Sequence, residues 1–351
     1  MNQKKISLSS LSAYRSEIYG LSILWIMLFH SCICKIKPTP MFRWISIGNM
    51  GVEVFLFLSG TGLYYSYSKD RRILDFYKRR ILRIYLPVLI ICTPYWIYQY
   101  LTTDRSAGIL LLKYCLADFW VRGRQQIWFL SLIAVCYFLY PFLFMILFGK
   151  KGDRTSFIWT KAVILCMITI ALTWSISRLQ PEFYALTEIA LTRFPVFILG
   201  CAMGKEVHDR KERSLFWIPF LTVIMILSCH LILSGQVHGP VKRYTYLFGG
   251  IPVTLLSAAL FKWLDRTGFS LLLPFFRFFG GISLECYLVH IIVINLYLAG
   301  IPFPYVEGSV IRYAGVLAVS IMMAYPAGKI CEKISSLIKS ENKSIKSGIQ
   351  P

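Results

Sequence analysis

A chain of 351 residues with 56% hydrophobic and only 16% charged residues, and a mean hydropathy of +0.60, is too apolar for a soluble globular domain, where about a quarter of residues are charged. The net charge of +21 does not point to a nucleic-acid partner, because Lys and Arg favour one side of the alternating loops by roughly two to one, the positive-inside pattern of a multi-pass membrane protein. The ten cysteines stand singly in apolar runs apart from Cys32 and Cys34, which gives neither a disulfide framework nor a metal site.

Taken in chain order, residues 1–17 form a polar N-terminus with no small-residue cleavage site, read as cytoplasmic and as leading into an uncleaved signal anchor. Apolar runs long enough to cross a bilayer core of about 30 Å follow near 18–34, 50–68, 84–102, 127–148, 158–176, 186–204, 214–233, 246–264, 279–300 and 309–330. The expected fold is therefore an all-α polytopic membrane protein of about ten transmembrane helices, with both termini cytoplasmic. Residues 18–332 make one membrane domain and 333–351 a basic tail, which would meet anionic membrane lipid. The gap from 103 to 126 carries its own apolar stretch, Gly108 to Trp120, interrupted by Lys113 and Asp118. It reads as an interfacial helix. Short loops and the lack of targeting signals predict a bacterial inner membrane. No repeat or low-complexity linker marks off a further domain.

Ionisable groups inside apolar spans are functional candidates, since an unpaired one in hydrocarbon costs several kcal/mol. His30 follows a dozen uncharged residues in the first span. At 1.5 Å per helical residue it lies about 18 Å from the inner face, His290 in the ninth span lies about 17 Å from it, and Arg193 in the sixth lies about 10 Å below the outer face. The three are expected at one level, a little outward of the midplane, sharing a polar cavity. Each imidazole could instead satisfy a backbone carbonyl or hydroxyl of a neighbouring helix.

Arg80 and Arg83, three apart at the start of the third span, share a helix face, and such a forked pair at a helix mouth suits phosphate. Ordinary juxtamembrane charge is the competing explanation, and it suffices for Lys69, Arg71 and Arg72. Glu53 near the outer end of the second span precedes Ser59 and Gly60, small residues that permit close helix packing around a cavity. Glu285 lies five positions before His290, whereas Tyr287, at i−3, shares the histidine's face better.

Six motifs in order resemble the acyltransferase-3 family of integral-membrane acyltransferases: Leu28-Phe29-His30; Gly51-Val-Glu-Val-Phe-Leu-Phe-Leu-Ser-Gly60; Arg80-x-x-Arg83-Ile84; Trp128-Phe129-Leu130 with Tyr137 and Pro141; Arg193-x-Pro195-x-Phe197-x-x-Gly200; and Ile282-Ser-Leu-Glu-Cys-Tyr-Leu-Val-His290. The resemblance implies transfer of an acyl group, usually acetyl from acetyl-CoA, to a hydroxyl of a cell-surface polysaccharide or lipid-linked glycan. It makes His30 the catalytic residue and places Arg80 and Arg83 in the acyl-CoA site. Tyr19 stands where the family commonly has an arginine, and Arg15, one turn earlier, is the substitute. Pro87 comes one residue late against the family pattern, and no extracytoplasmic hydrolase-like domain is expected after the last span.

On this reading acyl-CoA is a co-substrate and no cofactor is tightly bound. His30, Arg193 and His290 carry the chemistry. Arg15, Arg80 and Arg83 hold the donor, whose pantetheine arm spans the ~18 Å rise to His30. Glu53, Ser59, Trp128, Glu285 and Tyr287 line the substrate site. A transporter or flippase for an anionic or glycan substrate is the alternative, to which midplane ionisable groups and Gly-rich helices are also suited. No inverted repeat in the hydropathy pattern supports it.

Overall fold

The computed structural model describes residues 5–37, 39–149 and 155–347. The first four residues of the expected cytoplasmic N-terminus and the last four of the basic tail lie outside the described residues. Among the described residues, after a single helical turn at Ser10–Ala13, fourteen helices carry the fold: α1 (Arg15–Phe29), α2 (Gly51–Lys69), α3 (Ile73–Gln99), α4 (Ala107–Tyr114), α5 (Asp118–Arg122), α6 (Trp128–Phe148), α7 (Thr155–Leu179), α8 (Pro181–Leu191), α9 (Phe194–His208), α10 (Trp217–Ser234), α11 (Gly239–Arg266), α12 (Leu272–Gly281), α13 (Ser283–Leu298) and α14 (Val310–Ser347). One short ribbon, β1 (Lys5–Ser7) antiparallel to β2 (Glu212–Ser214), ties the N-terminal segment to the turn before α10.

Nine helices among the described residues are long and apolar enough to cross a membrane, some of them continued by short 3₁₀ or π turns, and the bent pair α12–α13 brings the number to ten if it is counted as one broken span. The protein is thus an all-helical, polytopic membrane protein. Its irregularities sit where the sequence interrupts helix formation. The first span passes from α1 into a 3₁₀ segment, His30–Cys34, so His30 stands at the junction and not within a continuous α-helix. The sixth span breaks at Thr192 and Arg193: Pro195 enters at the second position of α9 and has no N–H to continue the α8 ladder. The ninth is preceded by α12, bent 69° from α13.

The gap from 103 to 126 folds differently from the expected single interfacial helix. It makes two short helices, α4 and α5, and the charges that interrupt its apolar stretch are turned inward. Lys113 bonds Asp104 at 2.5 Å and Gln99 at 2.9 Å, and Asp118 bonds Arg122 at 3.1 Å. Pairing within the segment lets these side chains leave water. The segment 333–347 of the expected tail continues α14 as helix.

Close packing around the centre depends on α2 crossing α9. A Cβ built on Gly60 would lie 2.6 Å from the Phe197 carbonyl oxygen, and one on Gly200 would lie 2.2 Å from that of Phe57. Only hydrogen at both positions allows these backbones to meet, as small residues do in membrane helix pairs. The main core surrounds this crossing, with Leu56, Phe57, Leu130, Tyr140, Phe197 and Leu288 fully buried.

Candidate active site

The 3₁₀ segment that follows α1 and helix α13 bring the two deep imidazoles into contact. His30 Nδ1 lies 2.8 Å from His290 Nε2, with ring centroids 4.9 Å apart. His290 is fully buried, and its Nδ1 lies 2.7 Å from the carbonyl oxygen of Cys286, one turn back on α13. Those two bonds fix both tautomers. A carbonyl only accepts, so His290 carries its proton on Nδ1 and offers Nε2 as an acceptor. His30 must then donate from Nδ1, which leaves its own Nε2 with a bare lone pair. His30 Nε2 has no hydrogen-bond partner among the described residues. The chain Cys286 carbonyl, His290, His30 therefore orients one imidazole as a base, the arrangement in which a third group holds the tautomer. Tyr287 closes the other side, its ring 5.9 Å from His290 and 5.7 Å from Phe129, both edge-on.

A cleft of about 90 Å³ lies between α1, α2, α3, α6 and α13; neither His30 nor His290 lines it, and Tyr287, three residues before His290, is its nearest approach to the pair along α13. Tyr287 forms its inner wall, Tyr19 and Ser59 line its side, and Arg83 stands at its mouth. Val52, Phe55 and Ser59 reach it from one face of α2, and most of the remaining lining is apolar.

The mouth is basic. Arg15 donates to the Tyr19 hydroxyl from Nη2 at 2.8 Å and from Nε at 3.2 Å, and the same hydroxyl lies 3.5 Å from Ser59 Oγ. Where the family commonly places an arginine, a tyrosine thus carries the guanidinium of the preceding turn. Gly62 makes the room, since a Cβ there would lie 2.0 Å from Arg15 Nη1. Arg80 donates to Ser66 Oγ at 2.5 Å and sits 5.4 Å from the Phe76 ring and 5.6 Å from Tyr137. Its buried Nε has no partner among the described residues. Arg15 and Arg83 both lie within Coulombic range of Arg80. Glu285 lies on the same side, in range of the Arg83 charge, and forms no ion pair among the described residues. Glu17, between Arg15 and Tyr19 in sequence, faces away and pairs with Arg277 at 2.6 Å.

Arg193 departs from expectation. It does not join the imidazoles: its Nε lies 2.9 Å from Glu53 Oε1, its Nη1 donates to the Ile189 carbonyl at 2.6 Å, and its guanidinium lies 4.9 Å from the Trp128 ring centroid. Glu53 and Arg193 are only 1% and 2% exposed. In a low-dielectric interior a carboxylate near a guanidinium is the stronger attraction, and it fixes Arg193 against α2. Glu53 and Trp128 are engaged by this pair, and neither lines the cleft. Two further contributors were not among the sequence candidates. The Tyr313 hydroxyl donates to the Met27 carbonyl, fastening α14 beside the span of His30, and Ser66 holds Arg80. Neither carries a sequence signal beyond a polar residue in an apolar run.

The acyltransferase-3 family model, described as an acyltransferase domain, matches residues 20–328, nearly the whole chain. No curated protein and no solved structure matches it.

Proposed function

This chain belongs to the acyltransferase-3 family, and from that premise we propose that the membrane acyltransferase takes an acyl group, acetyl in the first instance, from acyl-CoA and delivers it to a hydroxyl of a cell-surface polysaccharide or lipid-linked glycan. The observation that carries the site assignment is the 2.8 Å contact between His30 and His290, with His290 bonded in turn to the Cys286 carbonyl. The protein sits in the bacterial cell membrane with its basic mouth toward the cytoplasm, as the positive-inside distribution favours.

The donor enters at that mouth with its phosphates on Arg15, Arg80 and Arg83, since planar guanidiniums suit phosphate oxygens. Its pantetheine arm follows the cleft past Tyr19 and Ser59. His30 Nε2 removes the proton of the acceptor hydroxyl as that oxygen bonds to the thioester carbonyl carbon. When the tetrahedral intermediate collapses, the carbon–sulfur bond breaks and the imidazolium returns its proton to the CoA thiolate. His290 holds His30 in the tautomer that this role needs and shares the positive charge that forms. The largely apolar lining of the cleft limits the access of water to the thioester. Arg193 and Glu53 act on the frame, holding α2 against the segment between α8 and α9.

The test is a comparison of purified wild type, His30→Ala and Arg80→Ala/Arg83→Ala, each supplied with labelled acetyl-CoA and a hydroxyl-bearing glycan. Loss of label transfer in both variants, with donor binding lost only in the arginine variant, is the expected result. Absence of acetyl-CoA binding by wild type would overturn the donor assignment, and retained transfer in His30→Ala the catalytic one.

A further inference from the structure

A second cavity, of about 380 Å³, lies away from the catalytic cleft and shares none of its lining. Its walls are apolar: Leu8 and Leu11 from the N-terminal segment, Trp217 and Leu221 from α10, Leu255 and Ala259 from α11. The lining runs from the segment beside β1 and β2 down to Leu255, some 16 Å before the end of α11 at 1.5 Å per residue, so the cavity extends from headgroup depth into the hydrocarbon on the face that carries the N-terminus. Trp159 and the half-exposed Trp217 stand there too, as aromatic residues do at a membrane interface. The cavity's polar lining is Ser7, Ser10, Ser214 and Arg213, of which Arg213 alone is charged. Glu206, 2% exposed, accepts from Trp159 Nε1 at 2.6 Å and from Arg213 Nη2, so both of its oxygens are engaged and it anchors the guanidinium at the cavity. Arg213 is 46% exposed and retains N–H donors for a further acceptor. Lys5, opposite Ser214 in the ribbon, and Lys211 add positive charge nearby, against Glu206 and against Glu212 opposite Ser7, so that with Arg213 the group keeps a net charge of +1.

We propose that this cavity holds one acyl chain of an anionic glycerophospholipid from the adjoining leaflet, its phosphate on Arg213. A fixed guanidinium at headgroup depth beside an apolar cavity matches a lipid with one charged end and one hydrocarbon end. A zwitterionic lipid offers Arg213 no net negative charge.

The experiment places the full chain in nanodiscs of phosphatidylcholine with a rising fraction of chain-brominated phosphatidylglycerol, or of chain-brominated phosphatidylcholine, and follows tryptophan fluorescence. The Trp217 contribution is the difference between wild type and Trp217→Phe. It should be half-quenched at a mole fraction of phosphatidylglycerol about fivefold lower than of phosphatidylcholine, the preference expected of one basic residue at the surface. Arg213→Gln/Glu206→Gln, which removes both charges together, should abolish the preference. Ala259→Phe, which fills the cavity, should abolish the saturable component. Equal and linear quenching by the two lipids, unchanged in the charge-removed protein, would mean bulk lipid only and would overturn the proposal. That double variant decides the matter even if Ala259→Phe does not fold.

Discussion

Arg193→Met should unfold the membrane domain more readily than its distance from the histidine pair suggests. With Glu53 1% exposed and Arg193 2%, and 2.9 Å between them, removal of either partner strands a buried charge, at a cost of about 3–5 kcal/mol. Loss of the Trp128 face contributes up to about 2 kcal/mol more for the arginine variant. Replacing both charges by apolar groups of similar size is different. Glu53→Leu/Arg193→Met leaves no buried charge unpaired and should lose only the Trp128 and Ile189 contacts, about 2 kcal/mol, so the two single losses should be strongly non-additive, with a coupling of about 6 kcal/mol or more. Denaturant unfolding in mild detergent, followed by tryptophan fluorescence on all four proteins, measures the cycle. Single losses below about 1 kcal/mol that simply add would refute a coupled buried pair. Label transfer on the same proteins separates frame from chemistry: the double variant should remain active, whereas a stable but inactive one would mean that Arg193 acts on the reacting atoms.

Three further outcomes follow from other contacts. Gly62→Val places a side chain on Arg15 Nη1 and should push the guanidinium off Tyr19, raising KM for the donor with kcat nearly unchanged; steady-state kinetics with varied acetyl-CoA would show an unaltered KM if the mouth does not use Arg15. His290→Ala should lower kcat by about 10²-fold or more, because His30 loses the acceptor that fixes its tautomer, while KM for the donor holds; a KM effect alone would make His290 a binding residue. At the membrane edge, burial and the 2.7 Å bond to Asp265 push the Tyr14 phenol up to about 12. Its contribution to stability should be intact below pH 10 and be lost as pH rises toward 12, because the unfolded chain gives up that proton first. The thermal midpoint of wild type should therefore approach that of Tyr14→Phe across that window, and a constant gap would contradict the linkage.

The spans were legible because a run of some twenty apolar residues has few alternatives in a membrane. Counting 1.5 Å per residue along two spans that rise from the same face also placed His30 and His290 at one depth, and the structure puts them in contact. The same arithmetic misled for Arg193. Depth says nothing of azimuth, and the guanidinium turns to Glu53 on a helix some 140 residues earlier in sequence, a pairing that no local pattern announces. Pro195 does signal the break beside Arg193, since proline ends the preceding turn. Arg15 and Tyr19, four residues apart on α1, show an ordinary helical pairing, and their spacing marks the replacement for the missing arginine. The direction of each hydrogen bond in the histidine chain required the Cys286 carbonyl to be located, which only the folded backbone provides.

The most direct measurement of the account is CoA release by the protein in nanodiscs with a glycan acceptor, comparing wild type with His30→Ala after both are shown to unfold at the same denaturant concentration. The account predicts acceptor-dependent CoA release by wild type and none above background from His30→Ala, with acetyl-CoA still bound. Acceptor-dependent release by His30→Ala at the wild-type rate would contradict it.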